Sequence, residues 1–301
     1  MVVGLLFLLI VGDMTNLMGD RDTLVQKMVD AVDSLLLLAN VQSLQGFGSR
    51  SSFYPGCDSA VAYVKRLLES FGYDSVYYHY YSPTYAPNVY AIKSGTSDDS
   101  TYVICAHIDA TINAPWEREM IAPGADDDGS GCACVLEAAR VMANYDFKHR
   151  LIFILFTGEE QFMVGSHHWC QAHQNDPLYG ALDFDMIGYT YASQLRLDIA
   201  SDNQSQWLMN FVDSCAHEYT PELQTFPQVN PNRGGDNKSF WAIGVPALFI
   251  IEKPVSWNPY YHTRGDTIGG GFNDLRFCWL VTKMGVAALA SLAQPIGLSQ
   301  R

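Results

Sequence analysis

Residues Ala122–Gly131 read APGADDDGSG, and the reading of this stretch decides the rest. Three consecutive aspartates sit between small, flexible residues, and an apolar run, Cys132–Ala139, follows at helical spacing. Three adjacent carboxylates repel one another unless something positive binds them. The Gly and Ser residues let the backbone turn tightly and approach a ligand closely. A hard or borderline cation is the natural occupant. Taken alone, the stretch reads first as a solvated acidic loop capping the next helix, because Asp is favoured at helix starts. Its surroundings decide between the two.

Just upstream, Tyr102–Ala106 is a near-continuous apolar run, the pattern of a buried strand, and it ends in His107-Ile108-Asp109. Downstream, a helix over Gly131–Asn144 leads to LIFILF (Leu151–Phe156), a second buried strand that ends in Thr157-Gly158-Glu159-Glu160. Farther out, Leu182–Ile187 reads as a strand that delivers Asp185. Pro246–Ile251 reads as a strand whose Pro- and Trp-containing exit leads to His262 in NPYYHTRGDT. Helical spacing marks Asp22–Leu44, Asp58–Phe71 (with Asp58 or Ser59 as cap), Gln161–His173, Gln204–Tyr219 and Phe272–Ala293. Ser75–Tyr81, Asn88–Ile92 and Leu195–Ile199 read as further strands. Strands alternate with helices throughout. The expected fold is a three-layer α/β sandwich with a mixed, largely parallel central sheet, forming one catalytic domain over residues 21–301.

In such sheets ligands gather at the carboxyl ends of the strands. Here imidazoles and carboxylates collect at four of those ends, which reverses the reading of the acidic loop. Two histidines and several carboxylates without sulfur suit zinc in a hydrolytic site, or manganese or cobalt. In the His-x-Asp pair both side chains lie on one face, so Asp109 is placed to orient His107. Glu159 and Glu160 are adjacent and diverge. One can grip a metal while the other faces a water as general base.

Composition narrows the classes. The chain has 301 residues, 48% of them hydrophobic and 17% charged, with a formal net charge of −14; nothing in that balance neutralises a phosphate backbone, which argues against a nucleic-acid partner. The seven cysteines are odd in number, irregularly spaced and form no CxxC. They read as small buried hydrophobes, and a sulfur-based zinc cluster is not expected. The apolar run Val2–Val11 is too short to span a bilayer. It looks like the apolar region of a secretory signal within residues 1–20, without a basic start or a clear cleavage site. Export to a secreted or periplasmic location, without stable membrane insertion, is the expectation.

The motifs His107-Ile108-Asp109, APGADDDGSG, TGEE, Asp183-Phe184-Asp185-Met186 and NPYYHT, preceded by GSRSSFYPG and AVAYVKRLLESFGY, occur in an order and spacing of high specificity. At these residues the chain resembles the co-catalytic zinc aminopeptidases, whose members include bacterial secreted leucyl aminopeptidases and yeast aminopeptidase Y. The resemblance runs from about Val32 to near the C-terminus. It implies a peptidase acting on peptides with a free N-terminus and two Zn2+ ions per chain. Asp127 would bridge the ions. His107 and Asp185 would complete one site, Glu160 and His262 the other. Glu159 would be the general base, and Asp109 would support His107. Positions that shape the first-residue pocket in that family fall on Met186, Phe249, Ile251, Trp257 and Tyr261, which implies hydrophobic N-terminal residues.

The resemblance has a gap. Bacterial members carry an oxyanion-stabilising tyrosine in a short disulfide-bounded loop, whereas Asn230–Trp241 (NPNRGGDNKSFW) has no Tyr and no Cys pair. Asn232 and Arg233 are the candidates for that role, and Asp236 matches a supporting residue. The rivals are a single-zinc glutaminyl cyclase, a related carboxypeptidase, and a non-catalytic binding protein on the same scaffold. DDDGSG, and the lack of an Asp-His-x-Pro-Phe pattern around Asp236, favour the peptidase over the cyclase.

Overall fold

A strand that is apolar at every position must be covered on both faces. YVICA and LIFILF meet that condition. They form the cores of β3 (Thr101–His107) and β5 (Arg150–Phe156), which run parallel in the middle of an eight-stranded sheet. The computed structural model describes residues 23–73, 75–97 and 99–299; the signal-like run Val2–Val11 lies outside them. The other strands are β1 (Val76–His79), β2 (Asn88–Lys93), β6 (Leu178–Phe184), β7 (Arg196–Ser201), β8 (Gln224–Val229) and β9 (Ala247–Glu252). Their order is β1-β2-β5-β3-β6-β9-β7-β8. The four contiguous strands β5, β3, β6 and β9 are mutually parallel, so their carboxyl ends emerge side by side along one edge. The flanking pairs β2·β5 and β7·β9 are antiparallel, which makes the sheet mixed. A two-stranded sheet joins β4 (Tyr145–Phe147) to β10 (Pro295–Leu298).

Side chains alternate faces along a strand, and the core divides accordingly. Ile104, Ala106, Phe153 and Leu155 pack into one cluster, while Val103, Cys105, Ile152 and Ile154 pack into another. The first layer holds α1 (Thr23–Asp30), α2 (Ser34–Gln45), α3 (Pro55–Ser70), α4 (Gly129–Met142), α6 (Gln206–Tyr219) and α8 (Leu275–Ala293). The second holds α5 (Val164–Ala172) and α7 (Asn237–Ala242), whose Trp169 and Phe240 cover the sheet. This is the expected α/β sandwich. By length and composition α8 could cross a membrane, but it packs against α1, α4 and α6, with most of its residues inside the core. All seven cysteines are buried free thiols.

Several boundaries differ from the sequence expectation, each for a local reason. The helix expected over Asp22–Leu44 is two helices. Asp33 is extended (φ −104°, ψ 114°) and its carboxylate accepts from Leu35 N and Leu36 N, so it caps α2. α3 begins at Pro55 rather than at Asp58, because proline is pre-set for the first helical position. The strand expected to reach Ile187 ends at Phe184, since Met186 turns to φ +53°. α5 starts at Val164 rather than Gln161, because Phe162 and Met163 both have positive φ. β8 carries Pro227 at the sheet edge and α7 spans only six residues; the sequence reading contains neither.

Candidate active site

His107 is the last residue of β3, Asp185 follows β6 directly, and Glu159 and Glu160 lie just beyond β5. His262 comes back from the loop after β9, and the acidic loop leads into α4. Parallel pairing of these four strands is therefore what gathers residues distant in the chain.

The three aspartates of the loop have different fates. Asp126 accepts from Gly188 N (2.7 Å), Ser130 Oγ (3.0 Å) and Asn258 Nδ2 (2.9 Å). Asp128 caps α4 by accepting from Gly131 N (2.9 Å), and it also accepts from Met186 N (3.2 Å) and His107 N (3.1 Å). Both are filled by protein donors. Only Asp127 turns its oxygens outward. Oδ1 lies 3.3 Å from His107 Nε2 and Oδ2 lies 3.2 Å from His262 Nε2. His107, Asp128 and Asp185 also approach within 4.8 Å of one another, but the hydrogen bonds already made by Asp128 leave Asp127 as the better ligand. Gly131 is required at its position, since a Cβ there would meet the Asp128 carboxylate. The peptide between Asp127 and Asp128 is cis.

Two residues that the sequence reading missed hold this loop. Asp266 accepts from Asp126 N and Asp127 N, both at 3.0 Å. Arg50 is fully buried and donates to Ile108 O (2.7 Å), Pro123 O (2.5 Å) and Gly124 O (2.7 Å). Their signals were slight: a lone arginine in the Gly- and Ser-rich segment, and the Asp of RGDT just past His262.

The remaining groups close in on the same two histidines. Glu160 Oε2 is 3.2 Å from His262 Nε2, and Asp185 Oδ1 is 3.8 Å from His107 Nε2. Glu160 Oε1 and Asp185 Oδ1 are buried with no hydrogen-bond partner among the described residues. Unpaired buried acceptors are costly, and a cation among them removes that cost. Two imidazoles and three carboxylates without sulfur fit zinc. The electrostatics point the same way. Burial, with Asp127 alongside, pushes the Glu160 carboxyl up to about 8 despite His262. Burial also raises Asp185. Burial works to raise Asp127 too, but hydrogen bonds from His107 and His262 hold it below the usual carboxylate range. Against the effect of burial, Asp127 and Glu160 push the His262 imidazole up to about 10. The cluster is one that a divalent ion would relax.

Asp109 acts differently from the expectation. Its backbone carbonyl, not its carboxylate, receives the hydrogen bond from His107 Nδ1, at 3.0 Å. The carboxylate stands 3.8 Å from that nitrogen. Since a carbonyl only accepts, the proton sits on Nδ1 and the lone pair of Nε2 faces the cluster. The Asp109 carboxylate instead accepts from Glu159 N and Glu160 N, each at 3.2 Å, and from Ser52 Oγ at 2.9 Å. Asp109 thereby fixes the turn that carries both glutamates. Gly158, at φ +74°, makes that turn possible. Burial, reinforced by Asp236, pushes the Glu159 carboxyl well above the usual range even with His107 nearby.

These groups open onto a cavity of about 250 Å³. His107, Asp127, Glu159, Glu160, Asp185 and His262 line it, and so do all five expected pocket residues. Asp109 sits behind the wall. Met186, Phe249 and Ile251 are buried and form a small apolar cluster with Ala200. Trp257 and Tyr261 are exposed and meet edge to face at 5.6 Å. Arg233 also lines the cavity, whereas Asn232 does not. Asp236 is buried beside Asp183, which adds to the upward effect of burial on its carboxyl.

Known proteins resemble this chain in family and in fold. Residues 88–270 match the profile of peptidase family M28. A probable zinc metalloprotease of Pyrenophora teres f. teres is 27% identical over 334 residues, covering 91% of this chain and 69% of that protein. A probable leucine aminopeptidase of Trichophyton verrucosum is 27% identical over 267 residues, covering 82% and 70%. Among solved structures, the LapA aminopeptidase of Legionella pneumophila superposes with a TM-score of 0.80 at 23% identity, covering 91% of this chain and 76% of that one. The glutaminyl cyclase of Bacteroides thetaiotaomicron superposes with a TM-score of 0.69 at 16% identity, covering 86% and 97%. At those identities the structural likeness speaks to the fold. The family match spans more than half of the chain: this protein belongs to peptidase family M28 and is a zinc-dependent hydrolase.

Proposed function

We propose that the protein is an exported aminopeptidase that removes single hydrophobic N-terminal residues from peptides at a two-zinc site. The observation that carries this reading is the position of Asp127, with one carboxylate oxygen toward His107 and the other toward His262. In this reading His107, Asp127 and Asp185 hold one ion, and Asp127, Glu160 and His262 hold the other. Two divalent ions held there would polarise the scissile carbonyl, acidify a water and anchor the neutral α-amine. Glu159, on the cavity wall, accepts the proton of the attacking water and returns it to the leaving amine. Asp109 positions Glu159 through its backbone amide. Met186, Phe249 and Ile251 receive the first side chain, and Trp257 and Tyr261 flank the entrance. The apolar run Val2–Val11 supports export.

The test is a panel of aminoacyl p-nitroanilides run beside the cyclisation of peptides with N-terminal glutamine. The expected result is hydrolysis of the leucyl and methionyl substrates. Cyclisation without amide hydrolysis would replace this reading with that of a glutaminyl cyclase.

A further inference from the structure

The floor of the first-residue pocket is apolar, but its border is not. Phe249 and Ile251 lie on β9, and the neighbouring strand β7 sets Ala200 opposite Phe249 and Asp198 opposite Ile251. Paired residues share a face of the sheet, so Asp198 borders the pocket floor. It is fully buried. Gln228 Nε2 donates to both of its oxygens at 2.6 Å. Two cations also converge on it. Arg233 Nε stands 3.0 Å from Oδ2, in ion-pair contact without hydrogen-bond alignment, and Lys253 Nζ stands 3.4 Å from Oδ1. One carboxylate facing two cations leaves one positive charge in surplus. Arg233 brings that charge to the cavity, as the one arginine or lysine in its lining among the described residues. The chain continues from Arg233 through Gly234 and Gly235. A Cβ on Gly235 would stand 3.2 Å from Glu159 Oε1, so this segment packs directly over the glutamate. The ion pair to Asp198 ties Arg233 to the pocket border rather than to the oxyanion role open to it from sequence.

We propose that Arg233 is a specificity-determining residue of the first-residue pocket. It admits N-terminal residues with apolar or acidic side chains and turns away lysine and arginine. The inference rests on the aminopeptidase reading above. A fixed charge at the border of an apolar pocket floor discriminates chiefly by what it repels. Acidic side chains of suitable length gain an ion pair with the guanidinium, and basic ones meet a like charge.

The experiment measures kcat/KM of the zinc-loaded enzyme for leucyl, glutamyl and lysyl p-nitroanilides, in the native protein and in Arg233→Lys, Arg233→Met and Arg233→Glu. The decisive quantity is the glutamyl-to-lysyl ratio within each protein, which any loss of folded enzyme leaves unchanged. The native ratio is expected to favour glutamyl by about tenfold or more, within what one charge near a protein surface supports. Arg233→Lys is expected to keep that preference, Arg233→Met to erase it and Arg233→Glu to reverse it. A ratio near unity in the native protein, or the same ratio in all four, overturns the proposal. If a variant turns nothing over, inhibition of the native enzyme by free glutamate against free lysine decides instead, with tighter glutamate inhibition expected and equal inhibition overturning the proposal. If the native enzyme hydrolyses none of the three, the aminopeptidase reading itself falls.

Discussion

Replacing Glu159 with glutamine is expected to lower kcat by roughly 10²–10⁴, the usual contribution of a positioned general base. At about 1.4 kcal/mol per tenfold, this is about 3–5 kcal/mol of barrier. The amide keeps the size of the side chain and its place on the cavity wall, but it cannot accept the proton of the attacking water. Asp127, Asp185, His107, Glu160 and His262 remain untouched, so zinc content is expected to stay at the native value. Steady-state kinetics paired with elemental analysis checks both halves. Activity within a few-fold of native would remove Glu159 from the role, and loss of zinc would make it a ligand instead.

Replacing Arg50 with methionine is expected to act on stability. The guanidinium supplies the donors for Ile108 O and Pro123 O, while Gly124 O keeps a second donor in Gly129 N. Two buried carbonyls would be left without partners, at about 1–3 kcal/mol each, for a total of roughly 2–6 kcal/mol. The loss falls on the segment that aims Asp127, so zinc affinity is expected to fall as well. Urea unfolding of the native and variant proteins measures the first effect, and competition with a chelator measures the second. A stability change under about 0.5 kcal/mol, as for an ordinary surface substitution, would show that the acidic loop is held by other means.

These two residues illustrate how differently parts of the molecule can be read from sequence. β3 and β5 are legible because burial on both faces demands apolar residues at every position, and few other structures do. The site is legible because parallel strands deliver their ends to one edge, so His107, Glu159, Glu160 and Asp185 can be collected from the residues that terminate each apolar run. His262 lies ten residues past β9, and only the surrounding motif marks it. Arg50 and Asp266 were not legible. Both act on backbone atoms of remote segments, and no side-chain pattern announces that. The way Asp109 supports His107 is hidden for the same reason, since its carbonyl receives the hydrogen bond from His107 while its carboxylate serves the amides of Glu159 and Glu160. The break at Asp33 is hidden in the sequence because the apolar periodicity of α1 runs on into α2 across it. Asp198 and Arg233 come together only because β8 pairs with β7 and the chain leaving β8 returns over the cavity.

The central claim is that Asp127 joins two zinc ions in one working site. Titrating the metal-free protein with zinc while following leucyl p-nitroanilide hydrolysis tests it most directly. The account predicts that activity climbs to its maximum only as two equivalents per chain are bound, and that Asp127→Asn fails to reach it at any zinc concentration. Full activity at one equivalent, with no further gain from the second, would contradict it.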